Sequence, residues 1–205
     1  MPRQPDPDLE ERILSAADVL WKRGGEKSLT MRAVARAART NTPAVYRRFK
    51  DRRDLVRALL RRIGTRIRKY FETADTLEEI AEAYMEFALR HPHEYELFYA
   101  HSRELSPRRG PGRPRPIRET RPNFAFVERL LAERLGGAVE DHTQLALALW
   151  ATLHGTAMML LMKSIPEGHE EELRAASRAA VRALIERGAK FSESRKGKRG
   201  NRAAT

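Results

Sequence analysis

Apolar residues recur along most of this chain at the i, i+3, i+4, i+7 spacing of helices that bury one face, which predicts an all-α protein of about nine helices. Leu9, Ile13, Ala16, Ala17 and Leu20 form the first stripe, over about Pro7–Arg23, and Gly24-Gly25 stops it. Met31, Val34, Ala35 and Ala38 form the second, with Thr30 placed to cap the helix through its hydroxyl. A short third helix follows, with Thr42 as cap and Pro43 at the first helical position, where a missing N–H costs nothing. The fourth, about Arg52–Glu72, sets Val56, Leu59, Leu60, Ile63 and Ile67 at helical spacing, with arginines on what reads as a solvated face.

The pattern changes after Asp75. Thr76 and Glu79 stand in capping-box spacing ahead of Leu77, Ile80, Ala81, Tyr84, Phe87 and Ala88. Pro92 ends that helix, and HEYELFYAH makes a short aromatic one. From Ser102 to Asn123 apolar residues give way to Pro, Gly and Arg, the composition of a long mobile loop. A helix over about Pro122–Leu135 ends at Gly136-Gly137, and QLALALWATLHGTAMMLLM is apolar on nearly every side. The last helix, about Glu167–Arg187, stops at Gly188, and a basic disordered tail follows. The expected organisation is a three-helix helix-turn-helix domain (1–52), a connecting helix (53–75), a helical C-terminal domain (76–188) with a mobile loop at about 102–122, and the tail (189–205).

The run Leu145–Met162 reaches the ~18 apolar residues that raise a membrane span. Thr152, His154, Gly155 and Thr156 in its middle, and the acidic residues before it, argue against lipid. Such a helix has to be enclosed, by its own domain on one face and by a second subunit on the other. The expected homodimer interface is a four-helix arrangement using Leu149, Leu153 and Leu160 with Leu173, Ala176, Ala180 and Leu184 of the last helix.

Composition narrows the function. The chain is 41% hydrophobic and 33% charged, enough for a core in a soluble protein. It has no cysteine, which excludes disulfides, thiol catalysis and cysteine-ligated zinc. The formal charge of +12 points to a polyanionic partner. Its distribution is uneven: from Arg32 to Lys69 there are fourteen Lys or Arg residues against Asp51 and Asp54. The cations therefore gather on the helix-turn-helix and its neighbour, as double-stranded DNA would require. In the third helix Val45 and Phe49 fall on one side, and Ala44, Arg47 and Arg48 on the other, with Tyr46 at the margin. Short side chains let that face approach a major groove while Arg and Tyr reach phosphates or base edges. Thr30, Tyr46, Arg48 and Arg52 are the phosphate candidates; Thr42, Pro43, Ala44 and Arg47 are the base-edge candidates, and Asn41 at the turn joins the set. No phosphate-cradling glycine loop, HExxH motif or cysteine nucleophile is present, so neither an enzyme nor a cofactor is expected. His91 and His93 flank Pro92 as a helix end, not a metal pair. The N-terminus has no apolar core of a signal peptide, so a cytoplasmic location is expected.

The stretch from Arg12 to Leu55 resembles the DNA-binding domain of the TetR family of bacterial transcriptional regulators. The matching pieces are ILSAADVLWKRG, LTMRAVARAA and TPAVYRRFKDRRDL, with the tyrosine-x-x-phenylalanine pair at Tyr46 and Phe49 and the basic residue of the fourth helix at Arg52. Arg39 and Pro43 stand where the family often has glycine. If the backbone at Arg39 needs positive φ, the arginine carries a modest cost. Trp150, His154 and Gly155 resemble the signature of one tryptophan–histidine–glycine class of C-terminal domains in the family. The resemblance implies the same DNA-contact positions, a dimer on a roughly palindromic operator, and a repressor released by a small apolar or aromatic effector. The effector candidates are Tyr84, Phe87, Phe98, Tyr99, Trp150, His154 and Met158. A competing reading is an architectural protein that coats DNA through its basic loop and tail without an effector. Within that loop Gly112-Arg113-Pro114 is similar to the core of an AT-hook, with Pro111 where an arginine would be expected. Arg47→Ala should lower DNA affinity and relax sequence preference in a binding assay across operator variants; an equal loss on every sequence would make it a phosphate contact only.

Overall fold

A computed structural model describes residues 6–105 and 115–202, so the AT-hook-like tripeptide lies outside the described residues. Among them are ten α-helices, nine of them seven residues or longer. They are α1 (Leu9–Ser28), α2 (Met31–Ala37), α3 (Thr42–Arg48), α4 (Arg52–Glu72), α5 (Leu77–Arg90), α6 (Pro92–Ala100), α7 (Ile117–Thr120), α8 (Pro122–Leu135), α9 (Thr143–Leu161) and α10 (Glu170–Arg202). The flanks of the expected loop are thus partly helical: a short 3-10 turn covers Ser102–Leu105, and α7 lies ahead of α8.

The chain forms two compact units. One contains the described residues up to Thr65 together with His93–Leu105; the other contains Arg66–Pro92 and the described residues from Arg115 onward. The division therefore falls inside α4, earlier than the expected boundary at Asp75, and most of α6 groups with the N-terminal helices.

In the first unit α1 buries Ile13, Leu14, Ala16 and Ala17 and leaves helical geometry at Gly24-Gly25, where the glycine pair predicted a stop. Thr30 caps α2, its hydroxyl accepting the Ala33 N–H at 3.2 Å. Leu55, Val56, Leu59, Leu60 and Ile63 form the buried side of α4. The helix α6 is fastened to α1 by polar bonds. The Trp21 indole N–H donates to the His93 carbonyl at 3.2 Å, and Lys22 Nζ lies 3.0 Å from a carboxylate oxygen of the fully buried Glu94. Burial works against the Lys22 charge, but Asp18 at 2.9 Å and Glu94 outweigh it and hold the ammonium above its ordinary 10.5.

In the second unit the predicted capping box opens α5: Glu79 N–H donates to the Thr76 hydroxyl, and Thr76 N–H to the Glu79 carboxylate, both at 3.1 Å. Helices α5, α9 and α10 pack together, and α10 turns Ser177, Val181 and Ile185 inward. The Ser177 and Thr156 hydroxyls meet at 3.0 Å, which satisfies both inside the packed side of α9. Two expectations are corrected here. Leu149 and Leu153, assigned to a dimer face, are buried within the protomer, while Leu160, Leu173 and Leu184 are half-buried and only Ala176 and Ala180 are exposed. The helix also does not stop at Gly188. A Cβ there would meet Leu145 Cδ2 at 2.5 Å, so this glycine serves close packing, and α10 runs on to Arg202.

The turn between α2 and α3 places Arg39 at φ 53°, the left-handed region that glycine usually fills. Thr40 N–H closes the turn on the Ala35 carbonyl at 2.9 Å. Arg39→Gly and Arg39→Val both delete the charge but differ in backbone strain. Chemical denaturation should find the glycine variant more stable than the valine variant by about 1–2 kcal/mol.

Candidate functional site

The two-turn helix α3 is set by its cap and its inward anchors. Asn41 Oδ1 accepts the Ala44 N–H at 2.8 Å, so Asn41 is the cap and Thr42 the first helical residue, one position earlier than predicted. Val45 and Phe49 point inward as expected. Ala44 is buried as well, at 4% exposure, which removes it from the base-edge candidates. The buried arc at the start of α3 is thus wider than two anchors, and α2 packs against α3. Tyr46, 51% exposed, and Arg47, Arg48 and Pro43 remain on the outward side. Among the described residues no carboxylate pairs with Arg47.

The two arginines predicted to meet phosphates, Arg48 and Arg52, are engaged. Arg52 Nε donates to the Leu29 carbonyl at 2.9 Å, and its Nη2 to the Glu26 carboxylate at 3.0 Å and the Glu26 carbonyl at 3.3 Å. It braces the chain between α1 and α2, a role that its charge in sequence did not disclose. Arg48 Nη2 donates to the Asp6 carbonyl at 3.1 Å. Asp6 in turn accepts from Arg12 Nη1 at 2.7 Å through its carboxylate.

In the second unit the structure gathers Tyr84, Phe87, Trp150 and His154 with aromatic residues that the sequence reading left out. Phe71 lies near-parallel to Tyr84 (centroids 6.4 Å) and to Phe126 (6.3 Å). The Arg68 guanidinium lies over the Phe126 ring at 3.4 Å. Trp150 sits 6.1 Å from Phe124 and 6.4 Å from His154. Tyr84 Oη and His154 Nδ1 are 3.4 Å apart, and burial pulls the His154 pKa below 6.5, so the imidazole is neutral at neutral pH. Phe87 is buried against Tyr70 and His91, and Met158 is half-buried on α9. Phe98 and Tyr99 belong to the first unit instead, on α6 beside Tyr95. The spacing of Phe71 on α4 and of Phe124 and Phe126 on α8 was visible in the sequence, but which helices would meet was not.

Residues 13–59 match the family described as "Bacterial regulatory proteins, tetR family", and residues 77–187 match "Tetracyclin repressor-like, C-terminal domain". The chain belongs to the TetR family. No curated protein matches it. Among solved structures it is similar to the multidrug binding protein EbrR complexed with imidazole, at 25% identity over 88% of this chain and 96% of that one, with a TM-score of 0.62. EbrR complexed with malachite green covers 88% and 99% at 25% identity, with a TM-score of 0.60. A TetR-family member from Streptomyces coelicolor A3 is 24% identical over 87% and 99%, with a TM-score of 0.63, and shares the fold.

Family membership makes this TetR-family chain a DNA-binding transcriptional regulator and not an enzyme. Within it, Arg52 now has two distinguishable readings. As a brace, Arg52→Ala should lower unfolding free energy by about 1–2 kcal/mol in denaturant titrations, because it removes the bonds to the Leu29 carbonyl and the Glu26 carboxylate. Unchanged stability with lost DNA affinity would return Arg52 to the phosphate contacts.

Proposed function

We propose that this TetR-family protein is a homodimeric repressor that reads a roughly palindromic operator through α3 and is released by a small apolar or aromatic effector. The observation that carries the reading is the outward side of α3, where Tyr46, Arg47 and Arg48 stand exposed over a helix anchored by Val45 and Phe49. Thr30, Thr42 and Pro43 flank the same turn and join it as contacts, while Asn41 contributes its cap. One such helix covers too few base pairs for specificity, and two held in successive major grooves about 34 Å apart supply it.

The second copy has a surface to meet. On α9 the exposed residues Leu147, Ala151, Gly155 and Met159 recur at four-residue spacing, with exposed Met162 just past its end, and Ala175, Ala176, Ala179, Ala180 and Ala183 are exposed on α10. A Cβ at Gly155 would touch nothing within 4 Å, so that face is open to close helix approach. The stretch Val139–Leu161 is long and apolar enough to cross a membrane, with a mean hydropathy of 1.4 over its 18-residue apolar window. Its other side packs on α5 and α10 around the buried Thr156–Ser177 pair, and small outward residues suit helix pairing. These features support a second copy on this face in place of lipid, and a cytoplasmic location goes with that reading.

The aromatic cluster of Phe71, Tyr84, Phe126, Trp150 and His154 supports an aromatic effector, as does the likeness to a protein that binds malachite green. Release works by differential affinity: the effector favours a dimer whose reading heads are wrongly spaced. In competition binding, one genomic palindrome should be preferred over random duplex by ~10³ or more, whereas an architectural protein shows no such preference. Met159→Glu should convert the dimer to a monomer by light scattering and weaken operator binding at least ~10²-fold. A monomeric wild-type chain, or a monomeric variant with undiminished affinity, refutes the dimer.

A further inference from the structure

Asp6 precedes α1 and shares two cations with it and with α3. Its carboxylate takes the Arg12 guanidinium at 2.7 Å and the Asp8 N–H at 3.1 Å, and its carbonyl takes Arg48 at 3.1 Å and the Leu9 N–H at 3.3 Å. The Arg12 and Asp6 side chains are each over 40% exposed, so the cluster opens to solvent on the flank of the recognition helix. Chiefly the Arg12 hydrogen bond, helped by the Asp8 N–H and the Arg12 and Arg48 charges, holds the carboxyl below its ordinary 3.8. The carboxylate therefore stays charged beside Arg12 at working pH, while Arg48 is held by the backbone carbonyl of the same residue and feels that charge more weakly.

Two guanidinium groups converging on one unit negative charge and a cluster of oxygens form the environment that a backbone phosphate seeks. We propose that Asp6 is an internal stand-in for a DNA phosphate, occupying Arg12 and Arg48 until a duplex displaces it, and that Arg12 is a further phosphate contact. The proposal rests on the reading of Arg48 as a phosphate contact. Exposed ion pairs contribute little because water screens them, so a phosphate within the duplex field replaces this one readily. The exchange costs the same on every sequence. It therefore weakens operator and random-sequence binding by the same factor, without changing which operator is read.

The test uses the full chain and a labelled random-sequence duplex, followed by fluorescence anisotropy across a salt series. Asp6→Ala should tighten binding about threefold to fivefold and steepen the salt dependence by about 0.9 in log–log slope. Asp6→Asn, which keeps an acceptor for the Asp8 N–H, should move both in the same direction, so a fraying α1 does not decide the result. Combined with Arg12→Ala and Arg48→Ala, the gain from Asp6→Ala should fall below about twofold. The proposal is overturned if Asp6→Ala leaves affinity unchanged or weakens it. It is equally overturned if the gain persists in full without the two arginines, since that is long-range repulsion alone. If Arg48→Ala leaves affinity intact, the phosphate reading of Arg48 fails with it; if Arg48→Ala weakens binding while both Asp6 variants are silent, only the stand-in role fails.

Discussion

Glu94 is the only acid on α6 that is sealed from water, and the placement of that helix follows from how its charge is met. A carboxylate at 0% exposure is costly unless a cation stands beside it. Lys22 supplies that cation from α1, steadied by Asp18 one turn earlier on the same helix. Trp21 adds its indole bond to the His93 carbonyl and an edge-on contact with His101, 5.5 Å between ring centroids. Gly64 permits the last close approach, since a Cβ there would lie 3.3 Å from the Phe98 ring. An element bonded across 72 residues of chain, from Trp21 to His93, is thereby made part of the DNA-binding unit. The chain reaches it directly from α5, which ends at Arg90, two residues ahead of Pro92.

The same accounting separates the cations that can meet DNA from those that cannot. The excess of fourteen basic residues over two acids between Arg32 and Lys69 suggests a uniformly cationic surface. Much of it is committed internally. Arg52 braces the α1–α2 connection, Arg62 bridges Ser15 and Glu11 of α1, and Arg57 pairs with Asp54. Arg68 lies over Phe126 with Glu72 at 3.1 Å, where burial first, and the Arg129 charge as well, hold its pKa below the ordinary guanidinium value despite Glu72. The solvated arginine face expected of α4 is thus partly a structural one. What stays outward on α3 is Tyr46, Arg47 and Arg48, a small fraction of the charge but the part set on a rigid helix.

How much of this could be read from residues alone depends on whether a pattern has one solution. The helix-turn-helix has few alternatives: Thr30 before Met31, a two-turn helix after the turn, and Val45 with Phe49 four apart leave one inward face. Asn41 and Thr42 are adjacent and both competent caps, so the choice of cap rested on a one-residue difference in backbone conformation. Ala44 is too short to declare a side. In α9 every face is apolar, so periodicity does not tell Leu149 and Leu153, which are buried, from Leu147 and Met159, which are exposed. Gly188 reads as a stop because glycine weakens helices, and its actual use, an approach to Leu145 and Leu135, depends on helices distant in sequence. Arg39 was legible the other way: a position where glycine was expected did take positive φ.

These magnitudes constrain how a signal can pass through the molecule. Coupling between an effector and an operator is ordinarily worth about 1–3 kcal/mol. Stripping the cation from a buried carboxylate costs about 3–5 kcal/mol. A ligand that supplies only coupling energy therefore does not part Glu94 from Lys22, and α6 has to travel with α1 as one body. The junction after α5 is held by less: the backbone leaves the helical region at His91, and its imidazole meets Tyr70 Oη at 2.9 Å, a single polar contact worth far less than the cation beside a buried carboxylate.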